Sequence, residues 1–274
     1  MKCAALQWDV QRGALEANLE AAEAALGAAR AAGARLVVLP ELWTTSFPGA
    51  ETELDAKLLE AADRGREWAQ AVSAEHGMVV AGSYLASSPA ELAGRFFNRL
   101  VVFDQGAQLF EYDKLHLFQP TAEHEVFTAG SSAPPVVDSS VGRLSGVICY
   151  DLRFGELFTH VLEAGAEVVV CPAQWPTARE SHWRALVMGR AVETQATFVA
   201  ANRLGGEAVG RAERWLEFPG NSLVVDGHGV VSAEGVGQSG AVLGKLDLTA
   251  ARSLRVRVPV GKGRRPDVYR EWRP

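Results

Sequence analysis

The sequence has few cysteines, and those it has are far apart. Cys3, Cys149 and Cys171 are the only 3 in a chain of 274 residues, and no two of them form a CxxC pair. This spacing excludes the short cysteine pairs that bind zinc or act as redox dithiols. We expect all three to be reduced thiols, as is usual for a cytoplasmic protein.

The sequence also lacks an excess of positive charge, a long apolar run and a phosphate-binding loop of the GxxxxGK[ST] type. Its 27 Lys and Arg against 33 Asp and Glu give a net charge of −6, which disfavours general binding to nucleic acid or anionic lipid. No apolar run approaches the roughly 20 residues that cross a bilayer, and Asp9 comes too early for a secretory signal. We therefore expect a cytoplasmic protein whose partner is a small molecule.

One basic segment needs a separate explanation. Six basic side chains fall between residues 252 and 265. The alternation Arg255-Val256-Arg257-Val258 predicts a half-exposed strand or arm that crosses to a second protomer, rather than a patch for nucleic acid.

Strand-like and helix-like segments alternate along the chain, which predicts an α/β fold. We expect one domain, residues 1–274, because layered α/β folds of this size commonly share one core. The expected strands are 3–7, 36–39, 78–84, 98–103, 144–149, 167–171, 197–201 and 221–225. The expected helices are 14–32, 54–76, 155–164 and 181–194.

Three other segments depart from simple alternation. The segment 78–112 is hairpin-like and predicts antiparallel strands, which favours two mixed sheets in a sandwich over a purely parallel fold. The segment 118–135 is proline-containing and charged and is predicted to be a loop, a type of segment that often carries function. The stretch 207–218 is interpreted as a surface loop near the pocket.

An acid, an amine and a thiol each follow a strand-like run. Glu41 follows LVVLP, Lys114 follows LFEYD, and Cys149 closes LSGVIC. Each has an ordinary structural explanation when it is taken alone: a helix cap for Glu41, a solvated ion pair for Lys114, and a small core residue for Cys149.

Taken together, these residues could supply the nucleophile, the oxyanion donor and the general base and acid that amide cleavage needs. Cys149 is the candidate nucleophile, and a neighbouring ammonium would favour its thiolate. Lys114 and the backbone N–H of Tyr150 are the candidate oxyanion donors. Glu41 is the candidate general base and acid, which takes the thiol proton, protonates the leaving ammonia and then activates water.

The residues around this trio resemble the nitrilase superfamily of carbon–nitrogen hydrolases. The glutamate motif is LPE at 39–41, the lysine motif YDKLHLF at 112–118, and the cysteine motif GVICYDLRF at 146–154. Further similarity includes Gln7, CPAQWP at 171–176, Asn202-Arg203 and RRPDVY at 264–269, so the resemblance covers nearly the whole chain.

The resemblance implies a four-layer α-β-β-α sandwich and a homodimer in which helices pack on helices. The C-terminal arm at about 250–274 would lie at the dimer interface. It also implies a second active-site glutamate on the loop after the lysine, for which Glu123 is the candidate and Glu125 the competing one. No metal or organic cofactor is implied.

Within the superfamily, the residues of the cysteine motif and of the CPAQWP segment are most similar to those of the omega-amidases. These enzymes release ammonia from amides such as 2-oxoglutaramate and 2-oxosuccinamate. Such a substrate needs a cation for its carboxylate, and Arg153 or Arg179 would supply it. The aromatic residues after the strand ends would form the pocket wall; they are Trp43, Phe47, Tyr150 and Trp175.

Two alternatives stay open from the sequence. The same trio would serve an N-carbamoyl amino acid amidohydrolase, another aliphatic amidase or a nitrilase. A protein that has lost catalysis and acts as a binding or scaffold dimer is the non-enzymatic alternative.

Overall fold

Two β-sheets pack face to face between layers of helices, so the expected α-β-β-α sandwich is confirmed. The computed structural model describes residues 1–48, 55–89, 91–92, 96–209 and 214–272. The strands are β1 (Lys2–Gln7), β2 (Ala34–Val38), β3 (Val79–Ser87), β4 (Phe96–Asp104), β5 (Ala107–Asp113), β6 (Val136–Ser139), β7 (Gly142–Gly146), β8 (Val168–Ala173), β9 (Thr197–Asn202), β10 (Leu204–Val209), β11 (Arg214–Val225), β12 (Val231–Val236) and β13 (Gly240–Lys245). The helices are α1 (Leu15–Ala31), α2 (Asp55–His76), α3 (Gly155–Glu163), α4 (Glu180–Thr194), α5 (Leu248–Arg257), α6 (Val260–Gly263) and α7 (Pro266–Tyr269).

Each sheet has a parallel centre and antiparallel edges. The first sheet has the order β13-β1-β2-β3-β4-β5, and the second has β10-β11-β9-β8-β7-β6, with β12 added beside β11. Strands β1, β2 and β3 run parallel, as do β7, β8 and β9. Because helices connect these parallel strands, the carboxyl ends of each set meet at one edge, where ligand sites of α/β sheets form.

The core explains why the central strands are apolar on consecutive residues. Every residue of β8 is buried, because one face packs against the other sheet and the opposite face packs under α3 and α4. A second apolar cluster joins the outer face of the first sheet to α1 and α2.

Among the described residues, no helix is both long and apolar enough to cross a bilayer.

All eight expected strands and all four expected helices occur, with shifted ends. The largest shift concerns the run 221–225, because β11 already begins at Arg214. In the run 144–149, β7 ends at Gly146 and Cys149 begins a 3-10 turn, Cys149–Arg153. The expected loop 118–135 includes two short 3-10 turns, Gln119–Thr121 and Glu123–Glu125. Residue 54, the expected start of the second helix, lies outside the described residues.

Of the two alternatives for the basic C-terminal segment, the strand is wrong, because residues 248–257 form the helix α5. The arm that crosses to a second protomer stays a prediction. The side chain of Asp247 accepts a hydrogen bond from the backbone N–H of Ala250 at 3.1 Å and caps the helix. Arg252 pairs with Glu167, and Arg255 donates to the carbonyl oxygen of Gly165 at 3.1 Å. Arg252 and Arg255 thus attach the helix to the segment that leads into β8 of the second sheet, and these contacts and the cap override the strand-like alternation. Residues 273 and 274 of the expected arm lie outside the described residues.

The stretch 207–218 lies near the pocket as expected, but it is not a loop, since its described residues belong to the antiparallel strands β10 and β11. Residues 210–213, between these strands, lie outside the described residues. The glycines at 235, 237 and 240 form a GxGxxG run, the spacing found in dinucleotide-binding loops. That run connects β12 of the second sheet to β13 of the first, and it is followed by a strand rather than by a helix, so it is not a dinucleotide-binding loop.

Candidate active site

Four of the side chains singled out from the sequence meet where the two sheets face each other. Glu41 follows β2 and Lys114 follows β5, both on the first sheet, whereas Cys149 follows β7 on the second. Glu123 begins a 3-10 turn in the loop after β5. All four are buried, with exposed fractions of 0% for Glu41, 1% for Lys114, 4% for Glu123 and 7% for Cys149.

The Lys114 ammonium is held by two carboxylates. Its Nζ lies 2.8 Å from Oε1 of Glu41 and 3.0 Å from each carboxylate oxygen of Glu123. Glu123 is fixed in turn by the backbone N–H of Phe118, which donates to its Oε2 at 2.8 Å. Of the two glutamates considered for this loop, Glu123 contacts Lys114, whereas Glu125 is exposed.

The Glu41 carboxylate has two more donors, neither of which the sequence singled out for this task. Asn98 of β4 donates from its side-chain amide to Oε1 at 2.7 Å. The backbone N–H of Gln174, just after β8, donates to Oε2 at 2.8 Å, and the Gln174 side chain donates to the carbonyl oxygen of Glu41 at 2.7 Å. Gln174 therefore connects Glu41 of the first sheet to the second sheet.

Arg203 extends this connection to the pocket wall. This arginine is almost fully buried and donates to the side chains of Gln174, Ser46 and Glu207 at 3.1, 3.1 and 2.8 Å. Its guanidinium carbon also lies 4.6 Å from the ring centre of Phe218. Arg203 thus acts on the site through its neighbours Gln174 and Phe218, a role that its position in the sequence did not indicate.

The charges of the site follow from burial and from these pairs. Burial lowers the pKa of Lys114, but the carboxylates of Glu123 and Glu41 outweigh it and hold that pKa well above its usual value. Burial also raises the pKa of Glu123, against the opposing effect of Lys114. The two carboxylates therefore favour the charged form of Lys114.

The cysteine does not meet the expectation that a nearby ammonium makes it a thiolate. Burial raises the pKa of Cys149 first, and the carboxylate of Glu41 raises it further, so that the opposing effect of Lys114 is outweighed. The pKa of Cys149 lies well above its usual value, and the resting side chain is a neutral thiol. A base is therefore needed to remove its proton.

The backbone at Cys149 is in an unusual conformation. Its φ of 46° is in the left-handed region, which residues other than glycine adopt only when their surroundings enforce it. The turn that begins at Cys149 places Tyr150 and Arg153 beside the thiol.

The thiol opens into a pocket with a mainly apolar lining. Phe47, Tyr150, Arg153 and Trp175, all singled out from the sequence, line it. Trp43 does not, because it is fully buried behind the site and its ring packs 5.3 Å from that of Trp68. The stretch 207–218, which the sequence analysis placed near the pocket, contributes Val209, Leu216 and Phe218 of β10 and β11, and these complete the apolar wall.

Two cationic side chains, Arg153 and Arg179, also line the pocket. The Arg153 guanidinium lies 4.9 Å from the ring centre of Trp175, and one of its nitrogens is 3.1 Å from Nδ1 of His182. The Arg179 guanidinium lies 5.3 Å from the ring centre of Phe118. Among the described residues neither arginine is paired with a carboxylate, so both are able to receive an anionic group. The described residues include no group of His, Cys, Asp and Glu that could hold a metal ion.

Comparison with known proteins gives a consistent result. The family model of carbon-nitrogen hydrolases matches residues 2–256. The chain is 34% identical to a 2-oxoglutaramate amidase of Bacillus subtilis over 266 aligned residues. The alignment covers 96% of this chain and 97% of the relative. It is 31% identical over 225 residues to an omega-amidase of Yersinia enterocolitica, with 82% of each chain covered.

Solved structures agree with these matches. An amidase from Nesterenkonia sp. superposes with a TM-score of 0.83 at 26% identity, over 100% of this chain and 96% of the other. A mutant of that amidase, which matches with a TM-score of 0.82 at 25% identity over 100% of both chains, carries the product of Michael addition of acrylamide at its active-site cysteine.

The ionisation of Cys149 provides a test of this electrostatic arrangement. We expect the Cys149 thiol to stay protonated through neutral pH, and its titration midpoint to move to lower pH in Glu41→Gln, because the Glu41 carboxylate raises the pKa of the thiol. The ultraviolet absorbance of the thiolate, measured as pH is raised and corrected with Cys149→Ala, gives the midpoint. Glu125→Gln is the control and should leave it in place. A wild-type midpoint below neutral pH would show that the charge of Lys114 dominates.

Proposed function

The chain belongs to the carbon-nitrogen hydrolase family, and from that premise we propose that it is an amidase of the omega type. It cleaves the terminal amide of a small carboxylic acid to the acid and ammonia. The observation that carries this proposal is the Lys114 ammonium, bound by Glu41 and Glu123 beside the buried thiol of Cys149.

The proposed reaction begins with the attack of Cys149 on the amide carbon. Because the thiol is neutral at rest, Glu41 accepts its proton as the carbon–sulfur bond forms. The carbonyl oxygen becomes an oxyanion, which the Lys114 ammonium and the backbone N–H of Tyr150 stabilise. Glu123 holds Lys114 in place for this task.

Collapse of the tetrahedral intermediate breaks the carbon–nitrogen bond. The proton held by Glu41 passes to the leaving nitrogen, which departs as ammonia and leaves a thioester on Cys149. Glu41 then takes a proton from water, the resulting hydroxide attacks the thioester, and its collapse releases the carboxylic acid and restores the thiol. Protons and electrons balance without a metal or an organic cofactor.

The proposed substrates are ω-amides of 2-oxo acids, such as 2-oxoglutaramate and 2-oxosuccinamate. The names of the relatives in Bacillus subtilis and Yersinia enterocolitica support this class. The pocket supports it as well, because it combines an apolar wall of Phe47, Tyr150 and Trp175 with the cations Arg153 and Arg179, which have no carboxylate partner in the described part of the chain. We assign the substrate carboxylate to Arg153, which lies on the same turn as Cys149.

The covalent step is tested by intact-mass measurement after brief mixing with 2-oxoglutaramate. The wild-type protein should gain an acyl group on Cys149 and release ammonia. Cys149→Ala should show no adduct and lose at least about 10⁴-fold in kcat, as expected for removal of a nucleophile. Cys3→Ala, which removes a buried cysteine of β1, is the control and should behave as wild type. Ammonia release that survives Cys149→Ala would refute the mechanism.

The assignment of Arg153 predicts a loss that depends on the charge of the substrate. Arg153→Met removes one charge-assisted hydrogen bond of about 1.5–3 kcal/mol, so kcat/KM for 2-oxoglutaramate should fall by about 10- to 100-fold. Hydrolysis of propionamide, which has no carboxylate, should change little. Arg184→Met, which alters an arginine paired with Glu234 outside the pocket, is the matched control. An equal loss with both amides would contradict the assignment.

We also propose that the protein is a cytoplasmic homodimer. The three free cysteines, one of them the nucleophile, fit a reducing compartment. Apolar side chains near the C-terminus and on α4 are left in water, with exposed fractions of 81% for Val256, 52% for Val258 and 50% for Val192. A second copy that packs on these helices would cover them.

Sedimentation analysis tests the dimer. We expect a mass of twice 29.4 kDa for the wild type and a shift towards the monomer in Val256→Asp, because a buried charge at an apolar interface is unfavourable. Val236→Asp changes an exposed valine of β12 instead, and should leave the mass unchanged. A wild-type protein of single-chain mass would exclude the dimer.

A further inference from the structure

The carboxylate of Asp151 lies at a junction of the site that the proposed reaction does not use. Asp151 is fully buried in the turn that begins at Cys149. Its Oδ2 accepts hydrogen bonds from the hydroxyl of Tyr112 at 2.9 Å and from the backbone N–H of Ile148 at 3.1 Å. Its Oδ1 accepts from the backbone N–H of His116 at 3.0 Å and lies 2.8 Å from Nδ1 of the same ring.

These four contacts come from two different sheets. Tyr112 is on β5, and His116 follows Lys114 by two residues, so both belong to the segment that carries the ammonium. Ile148 immediately precedes Cys149 and belongs to the segment that carries the thiol. One buried side chain therefore connects the chain around the cation to the chain around the nucleophile.

Such a connection is needed, because the site has to hold the segment that carries Lys114 and the segment that carries Cys149 in a fixed relative position. Lys114 is fixed on its own sheet by its backbone N–H, which donates to the carbonyl oxygen of Asn98 at 2.9 Å. Cys149 has the unfavourable φ of 46°, which persists only where neighbouring contacts enforce it. The Asp151 carboxylate supplies such contacts on both sides of Cys149. It accepts from the backbone N–H of Ile148, which precedes Cys149, and Asp151 itself belongs to the turn that follows.

The chemistry of the four partners selects a carboxylate. The N–H groups of Ile148 and His116 and the hydroxyl of Tyr112 donate, and His116 donates from Nδ1 when that nitrogen carries the proton. An ionised aspartate offers only acceptors and accepts from all four. An asparagine in the same place would turn its NH₂ group towards one pair of donors and leave that pair unsatisfied.

We propose that Asp151 is a positioning residue, which holds the Cys149 turn against the Lys114 segment so that thiol and ammonium meet the same carbonyl group. This inference rests on the proposed amidase mechanism. Asp151 is not among the residues that line the pocket, so it acts on the reaction through the backbone of residues 148–149 and 112–116. Its loss should therefore slow the chemical steps and leave substrate binding nearly intact.

The test compares Asp151→Asn, Tyr112→Phe and the double variant. In Asp151→Asn, kcat for 2-oxoglutaramate should fall by about 10²-fold, the cost of a misplacement near 1 Å, while KM changes by less than about 3-fold. Tyr112→Phe removes one of the four contacts and should cost about 2- to 10-fold in kcat. Because both changes act on one unit, the double variant should lose no more than Asp151→Asn alone.

Glu167→Gln is the matched control. Glu167 is also a buried carboxylate of the second sheet, and it accepts from the backbone N–H of Arg143 at 3.0 Å and pairs with Arg252. It lies away from the pocket, so this variant should lose thermal stability but keep kcat. If Asp151→Asn folds and keeps kcat within about 2-fold of wild type, or if its KM rises as much as kcat falls, the proposal is overturned. If Asp151→Asn does not fold, Tyr112→Phe decides, and an unchanged kcat overturns the proposal.

A second readout separates this proposal from the choice of substrate. Acylation of Cys149 by p-nitrophenyl acetate, followed as the burst of p-nitrophenol, needs the thiol, its base and the oxyanion donors but no ω-amide. The same ordering of the three variants is expected in the burst rate. That ordering in a protein that releases no ammonia from 2-oxoglutaramate would support the role of Asp151 and reject the substrate. An equal burst rate in wild type and Asp151→Asn would reject the role of Asp151.

Discussion

The site depends on one buried cation that two carboxylates share. Taking the Lys114 ammonium and the side chains of Glu41 and Glu123 out of water has a large desolvation cost, and the attraction between them offsets it only where every remaining polar atom is also well placed. The fold meets this condition with further donors to the carboxylates: Asn98, the backbone N–H of Gln174 and the backbone N–H of Phe118. The loss of any of these donors affects the charges of the whole cluster.

The second constraint is that neither sheet contains a complete site. The first sheet carries Glu41 and Lys114, and the second carries Cys149 and Gln174. Hydrophobic packing brings the sheets together but does not fix their relative position to the tenths of an ångström that catalysis needs. Directional hydrogen bonds between the sheets provide this precision, from Gln174 to Glu41 and from Tyr112 to Asp151.

The sequence allowed the prediction of features that depend on local pattern. Consecutive apolar residues identified the central strands, and the polar residue that follows each of three strands identified Glu41, Lys114 and Cys149.

Two kinds of feature could not be predicted. Asn98 and Gln174 act through particular side-chain and backbone directions, which residue type does not specify. The helix α5 and the pocket wall from β10 and β11 depend on tertiary contacts, such as those of Arg252 with Glu167 and of Arg203 with Phe218. The position of Cys149 was predicted from the sequence, but its protonation was not. Burial and the Glu41 carboxylate raise the pKa of its thiol, and together they outweigh the opposing effect of the Lys114 ammonium.

The neutral resting thiol has a consequence for the durability of the protein. Oxidants such as hydrogen peroxide and adventitious electrophiles react with thiolates far faster than with thiols. A nucleophile that ionises only while an acceptor carbon is in place presents almost no thiolate to these reagents between turnovers. In the proposed mechanism Glu41 is the base that activates the sulfur towards an amide. The same carboxylate raises the pKa of the Cys149 thiol, so it also protects the resting side chain from oxidation.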